Sequence, residues 1–217
     1  MKIVIMDIET RANEEAIALM PPPVVKAPAN YKSQEKIDRY IAEKTEQKVQ
    51  ELHSRAGLDP DTGLVSSVGI YPLGEATNIC IGHDEADLLT FAWSNLKSAH
   101  YIVGYNLLQF DLPYLLRRSM HNDLRPSVIP DLRKFQSPPR GRIIDLMQIL
   151  YSWGGHRFKG LATVADLAGF ANRPVGSGGD LETMSQDEEM EHLENDLKTT
   201  AELFHRMDGI YWPSILR

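Results

Sequence analysis

The chain is short of cysteine: Cys80 is the only one among 217 residues. A single thiol closes no internal disulfide, so a reducing cytoplasm is the expected compartment. Long apolar runs are also missing. The run Ile3-Val4-Ile5-Met6 is too short for a signal peptide and meets Asp7 and Glu9 at once. No stretch reaches the length needed to cross a bilayer, so no membrane partner is expected. Positive charge is scarce, with a formal net charge of -7. That argues against a protein that coats nucleic acid by charge alone, though not against an enzyme whose carboxylates are offset by bound cations.

With 42% hydrophobic residues, the chain suits a single domain with a sizeable core. Lys2 to Ile8 reads as a strand buried on both faces, because its apolar residues do not alternate with polar ones. Leu64 to Tyr71 and Thr77 to Ile81 follow as strands, turned by Pro72-Leu73-Gly74, and Tyr101 to Gly104 as another. Helices are expected at Asp84 to Asn95, Leu112 to Ser119, Ile144 to Trp153, Gly160 to Leu167 and Ser185 to Met207. The class is α/β, a mixed sheet flanked by helices. Residues 12–63 read as a helical insertion after the first strand. Pro21-Pro22-Pro23 and Pro28 break regular structure there, and Ser33 opens a helix closed by Gly57. Arg173 to Gly179 reads as a loop before the last helix.

Asp7 and Glu9 lie two apart on a strand, so both side chains leave the same face. They are read as its last residues, where an α/β sheet opens into a crevice. Two buried acids there are costly unless a cation or solvent meets them. Asp111, before a proline-containing first turn, is equally readable as a helix N-cap. Asp196 falls on the flank of the apolar stripe Met190, Leu193, Leu197, Ala201 and Phe204, where a solvated aspartate is the plainer reading. Together the four suit Mg²⁺ or Mn²⁺. Two such ions roughly 3.5–4 Å apart stabilise both the attacking and the leaving oxygens of a phosphodiester.

Asp7-Ile8-Glu9-Thr10, Asn106 to Asp111 and His192-Leu193-Glu194-Asn195-Asp196 resemble the three motifs of the DEDD-type 3′–5′ exonucleases. The likeness is nearest to the proofreading exonuclease domains of B-family DNA polymerases and their free-standing relatives. It implies a ribonuclease H-like fold and release of nucleoside monophosphates from the 3′ end of DNA, with RNA left open. Asp7 would bridge two metal ions, Glu9 and Asp196 would hold the one that activates water, and Asp111 the one nearer the leaving oxygen. Phe110 and Leu107 would wedge against the terminal base, and Thr10 and Asn106 would help place the strand. One branch of the family has a tyrosine four residues before the final aspartate, the other a histidine five before it. Here His192 stands at the tyrosine's spacing, one helical turn from Asp196, where it could deprotonate the attacking water. Asp145 is a candidate fifth acid, or simply a helix-start aspartate.

Between Leu116 and Lys159, nine lysines and arginines face only Asp123, Asp131 and Asp145, which suggests a phosphate-facing surface. The insertion is a candidate dock for a replication or repair protein. Two other readings are open. One is an aspartyl-nucleophile phosphohydrolase, although Glu9 and Arg11 depart from its motif. The other is a catalytically weak exonuclease-fold module that binds nucleic acid or a polymerase.

Overall fold

A computed structural model describes residues 1–82, 84–172 and 184–216. The expected loop over Arg173 to Gly179 lies outside them. Five strands form one sheet in the order β3-β2-β1-β4-β5. These are β1 (Ile3–Ala12), β2 (Gly63–Pro72), β3 (Asn78–Ile81), β4 (Tyr101–Gly104) and β5 (Ile143–Asp145). β1 runs parallel to β4 and β4 to β5, while β2 and β3 pair antiparallel. The sheet is therefore mixed, as the order of strands and helices in the sequence suggests.

The contacts divide the chain into two compact units, residues 1–10 with 65–217 and residues 11–64. In the larger, helices cover both faces of the sheet. Val4, Met6 and Ile8 of β1 join a core with α3 (Glu85–Lys97) and α4 (Asp111–His121). Ile3 and Ile5 join a second core with α5 (Leu146–Leu150), α6 (Leu161–Ala168) and α7 (Gln186–Met207). α7 begins at a complete capping box, in which the Ser185 hydroxyl accepts from the Glu188 N–H and the Glu188 carboxylate accepts from the Ser185 N–H. It lies close on β2 because Gly69 has no side chain. A Cβ there would stand 2.7 Å from Leu197 Cδ1 and 2.8 Å from Leu193 Cγ.

The smaller unit contains α1 (Glu14–Ala18), capped by Asn13, and the long helix α2 (Gln34–Ala56). Only Ala56 of α2 is buried within the described structure. Its expected stripe of Ile37, Tyr40, Ile41 and Leu52 is half-buried, and Val49 is exposed.

Two elements differ from expectation. The helix expected over Ile144 to Trp153 is instead β5, then the short α5, then a 3₁₀ turn at Ser152–Gly154. Ile143 and Ile144 are buried on opposite faces beside β4, and a short apolar run fits strand and helix periods equally. β1 also continues three residues beyond Glu9, so the acids are not at its end.

Candidate active site

The β1 row that begins with Ile3 and Ile5 continues with Asp7 and Glu9, by the alternation of the strand. The partner strand is what runs out. β4 pairs with β1 through Ile3 with Tyr101, Val4 with Ile102 and Ile5 with Val103, and it ends at Gly104. Asp7 and Glu9 thus lie just past the end of β4. The sheet continues from β1 to β2 on one side and from β4 to β5 on the other. Open α/β sheets bind ligands at such a point of divergence.

Three further pieces meet this row. The first is the loop from Tyr105 to Phe110. Asn106 adopts a left-handed conformation (φ 73°), which asparagine tolerates. Asp145, fully buried, holds the loop: its carboxylate accepts from the N–H groups of Asn106 (3.1 Å) and Leu108 (2.9 Å), and caps α5 through Gln148 (3.1 Å). Gly104 lets the loop turn back tightly, since a Cβ there would stand 2.5 Å from Leu107 Cγ and 2.9 Å from the Met6 carbonyl oxygen.

The second piece is Asp111. It is not an N-cap, because Phe110 occupies that position and makes no side-chain cap bond. Asp111 is the first residue of α4, 2% exposed. Its carboxylate accepts from its own N–H and from that of Ile8. The third piece is α7, which carries His192 and Asp196 one turn apart. His192 is buried, with Nε2 3.4 Å from Glu9 Oε1.

The electrostatics are those of an unbalanced acidic cluster. Burial first, then the charges of Asp111, Glu9 and Asp196, push the Asp7 carboxyl well above its usual range. Burial also raises Asp111, to about 7, and Asp196, to about 6, the latter partly offset by His192. The mutual approach of the Asp7 and Asp111 carboxyls raises Asp7 and lowers Asp111. Oδ1 of Asp111 and Oδ1 of Asp196 are buried without a hydrogen-bond partner. Among the described residues no three acid, histidine or cysteine side chains already stand as a ready-made metal cage. Glu9 instead stands beside the His192 imidazole. Hard oxygen donors, uncompensated and partly orphaned, fit a divalent cation.

The other sequence candidates separate. Phe110 is half-buried, its ring 5.4 Å from that of Tyr114. The Asn106 side-chain oxygen has no hydrogen-bond partner. Contrary to expectation, Leu107 is completely buried and offers no surface to a base. Thr10 is buried and falls on the row of Val4, Met6 and Ile8, opposite to the acids.

The basic run also divides. Arg118 is buried and grips Glu85 with two bonds, Nε to Oε1 at 2.8 Å and Nη2 to Oε2 at 2.7 Å. Arg142 donates to the carbonyls of Leu96, Lys97 and Ala99, and Arg133 pairs with Asp131. These three act within the protein. Arg117, Arg125, Lys134, Arg140, Arg157 and Lys159 are exposed. Sequence reasoning missed Glu189, a buried glutamate of α7 that accepts from the Ser66 hydroxyl at 2.7 Å. Its place on the apolar stripe, three residues before His192, was the available signal.

The family model for the exonuclease domain of DNA polymerase family B matches residues 64–147. That segment includes Asn106, Asp111 and Asp145, but neither the acids of β1 nor those of α7. Among solved structures, the family B DNA polymerase of the hyperthermophilic archaeon Pyrobaculum calidifontis superposes with a TM-score of 0.62 at 17% identity, covering 95% of this chain. The chain spans 24% of that polymerase. No curated protein matches. The match agrees with the resemblance at the middle motif, Asn106 to Asp111, and the fold agrees with it over nearly the whole chain: the chain is similar to a ribonuclease H-like exonuclease domain. Among the described residues no helix is long and apolar enough to cross a membrane.

Proposed function

We propose that the chain hydrolyses the terminal phosphodiester at 3′ ends of DNA and releases nucleoside monophosphates. The observation that carries this reading is the cluster of Asp7, Glu9, Asp111 and Asp196 just beyond the end of β4, with the carboxyl pKa raised at Asp7, Asp111 and Asp196 and two orphaned oxygens. Asp7, Glu9, Asp111 and Asp196 would hold two Mg²⁺ or Mn²⁺ ions. When bound, such ions neutralise developing charge on the phosphodiester and polarise the attacking water.

The chain's own residues supply the rest. His192, fixed beside Glu9, takes the proton of the attacking water, a task suited to an imidazole near neutral pH. Asp145 holds the Asn106–Phe110 loop so that Phe110 can meet the terminal base. Asn106 offers its side-chain oxygen, while Leu107 braces the loop from inside. The exposed cations from Arg117 to Lys159 favour the backbone upstream. The insertion's exposed Leu19, Val24 and Leu58 support the proposal of a partner protein there.

The test is an oligonucleotide labelled separately at its 5′ and 3′ ends, with and without added Mg²⁺ or Mn²⁺. Mononucleotide release from the 3′ end, dependent on metal and lost in Asp7→Ala, is expected. Full activity of that variant, or of the wild type in chelator, would refute the proposal. A second reading, a catalytically weak module that binds nucleic acid, is favoured by the contacts the acids already make. Glu9 meets His192, so part of the cluster has a partner without a cation. This reading predicts strand binding without turnover. The family match gives no support to the aspartyl-nucleophile phosphohydrolase.

A further inference from the structure

The stretch from Lys26 to Lys48 is cationic within an acidic chain, with six lysines and arginines against four acidic residues. It contains a concavity of about 600 Å³ lined by Tyr31, Lys32, Lys36, Arg39, Tyr40 and Glu43, among others. Lys36, Arg39, Tyr40 and Glu43 are spaced three or four apart along α2 and share one face. Tyr31 and Lys32 come from the segment that leads into it. The Tyr31 and Tyr40 rings meet edge to face, with centroids 5.4 Å apart at 72°, an arrangement in which each ring steadies the other. Of the neighbouring acids, Asp38 is engaged by the Gln34 amide at 2.8 Å, and Glu43 is the one acid in the lining.

Three cations against one acid suit an anion, and the aromatic pair narrows which one. An acidic peptide would use the cations and leave the rings idle. A duplex keeps its bases stacked inside, away from them. A single strand presents regularly spaced phosphates and accessible base faces together, the combination met by basic grooves with aromatic platforms. We infer that this concavity is a further nucleic-acid contact, with Lys32, Lys36 and Arg39 on the backbone phosphates of a single strand and Tyr40, steadied by Tyr31, stacked on a base. The inference rests on the reading above only in that the chain handles a strand.

The test measures binding of dye-labelled oligo(dT) to the full chain in chelator over a salt series. The combined variant Lys32→Ala, Lys36→Ala, Arg39→Ala should flatten the log–log salt slope by about 2, since each phosphate contact on a single strand is worth about 0.7. Tyr40→Ala should weaken binding about tenfold at fixed salt, and Tyr40→Phe should restore it. A wild-type slope in the combined variant, or wild-type affinity in Tyr40→Ala, overturns the inference. So does equal competition by polyglutamate, which would mean a general anion site. The exonuclease proposal fails separately, if the wild type releases no mononucleotide while these binding changes are observed.

Discussion

Glu85 and the trio of Asp7, Asp111 and Asp196, half-buried except for the buried Asp111, have opposite electrostatics. Glu85, on α3, works against the cost of burial with Arg118 in a two-pronged ion pair, the Val65 N–H at 2.8 Å and the Asn122 amide at 2.7 Å. These partners hold its carboxyl below the usual range despite burial. Asp7, Asp111 and Asp196 have no such set, and burial pushes all three up. Glu85 ties β2, α3 and α4 together; in the trio burial, and at Asp7 also the neighbouring charges, disfavours ionisation, a cost that a cation would relieve. Burial alone does not mark a functional acid. Burial without compensation does.

The comparison breaks most visibly at its stable side. Glu85→Ala leaves the Arg118 guanidinium buried without its carboxylate and should cost about 3–5 kcal/mol, read as a large fall in melting temperature. If the fall is no greater than for an exposed glutamate, the two groups do not differ as described. On the catalytic side, His192→Ala should lower the maximal rate by roughly 10²–10⁴-fold with little change in strand binding. His192→Tyr should recover part of it. An alanine variant as fast as the wild type removes His192 from the reaction.

The two groups also predict opposite pH effects. Glu85 has a lowered folded pKa, so its contribution is present above its ordinary value of 4.5 and is lost as pH falls through the folded value. Asp7, Asp111 and Asp196 have raised folded values, so their contribution is present below about 4 and is lost as pH rises, for Asp196 toward about 6 and for Asp111 toward about 7. In chelator, melting temperature should therefore decline between about pH 4 and 7, and Asp7→Asn should flatten that decline. At pH 7 this variant should melt higher than the wild type by roughly 2–4 °C, the shift expected for about 1 kcal/mol, while losing activity. An unchanged melting profile would show that ionisation carries no such cost there. The smallest effect concerns strand entry. Single-stranded or mismatched 3′ ends should be degraded faster than matched duplex ends, which must first fray at a cost of a few kcal/mol. Phe110→Ala should narrow that difference in matched time courses, and an undiminished preference would take Phe110 out of strand entry.

How much of this was legible in the sequence follows from which interactions are local. The unbroken apolar run of β1 reveals a strand buried on both faces, and the two-residue spacing of Asp7 and Glu9 gives their shared face. The helical periods of α3, α4 and α7 give those helices nearly to their ends. Long-range pairing was not legible. Nothing in a local window shows that Arg118 finds Glu85, 33 residues away, so it read as a surface cation. Leu107 was a base wedge by the resemblance, with core packing as the alternative, and its complete burial comes from tertiary packing of the loop that no local pattern displays. Asp145 read as either a fifth acid or a helix start; it caps α5 and also holds the motif loop, through bonds that span 37 and 39 residues.

Whether the four acids form a cation site is tested most directly by calorimetry. Mn²⁺ is titrated into the chelator-stripped protein at pH 7, in two buffers of different ionisation enthalpy. Binding should release protons, because carboxyls whose pKa values burial raises must ionise as the cation enters. It should also raise the melting temperature, and Asp7→Asn should lose both effects. Absence of binding, or binding with no proton release and no dependence on Asp7, would contradict a cation site at these acids.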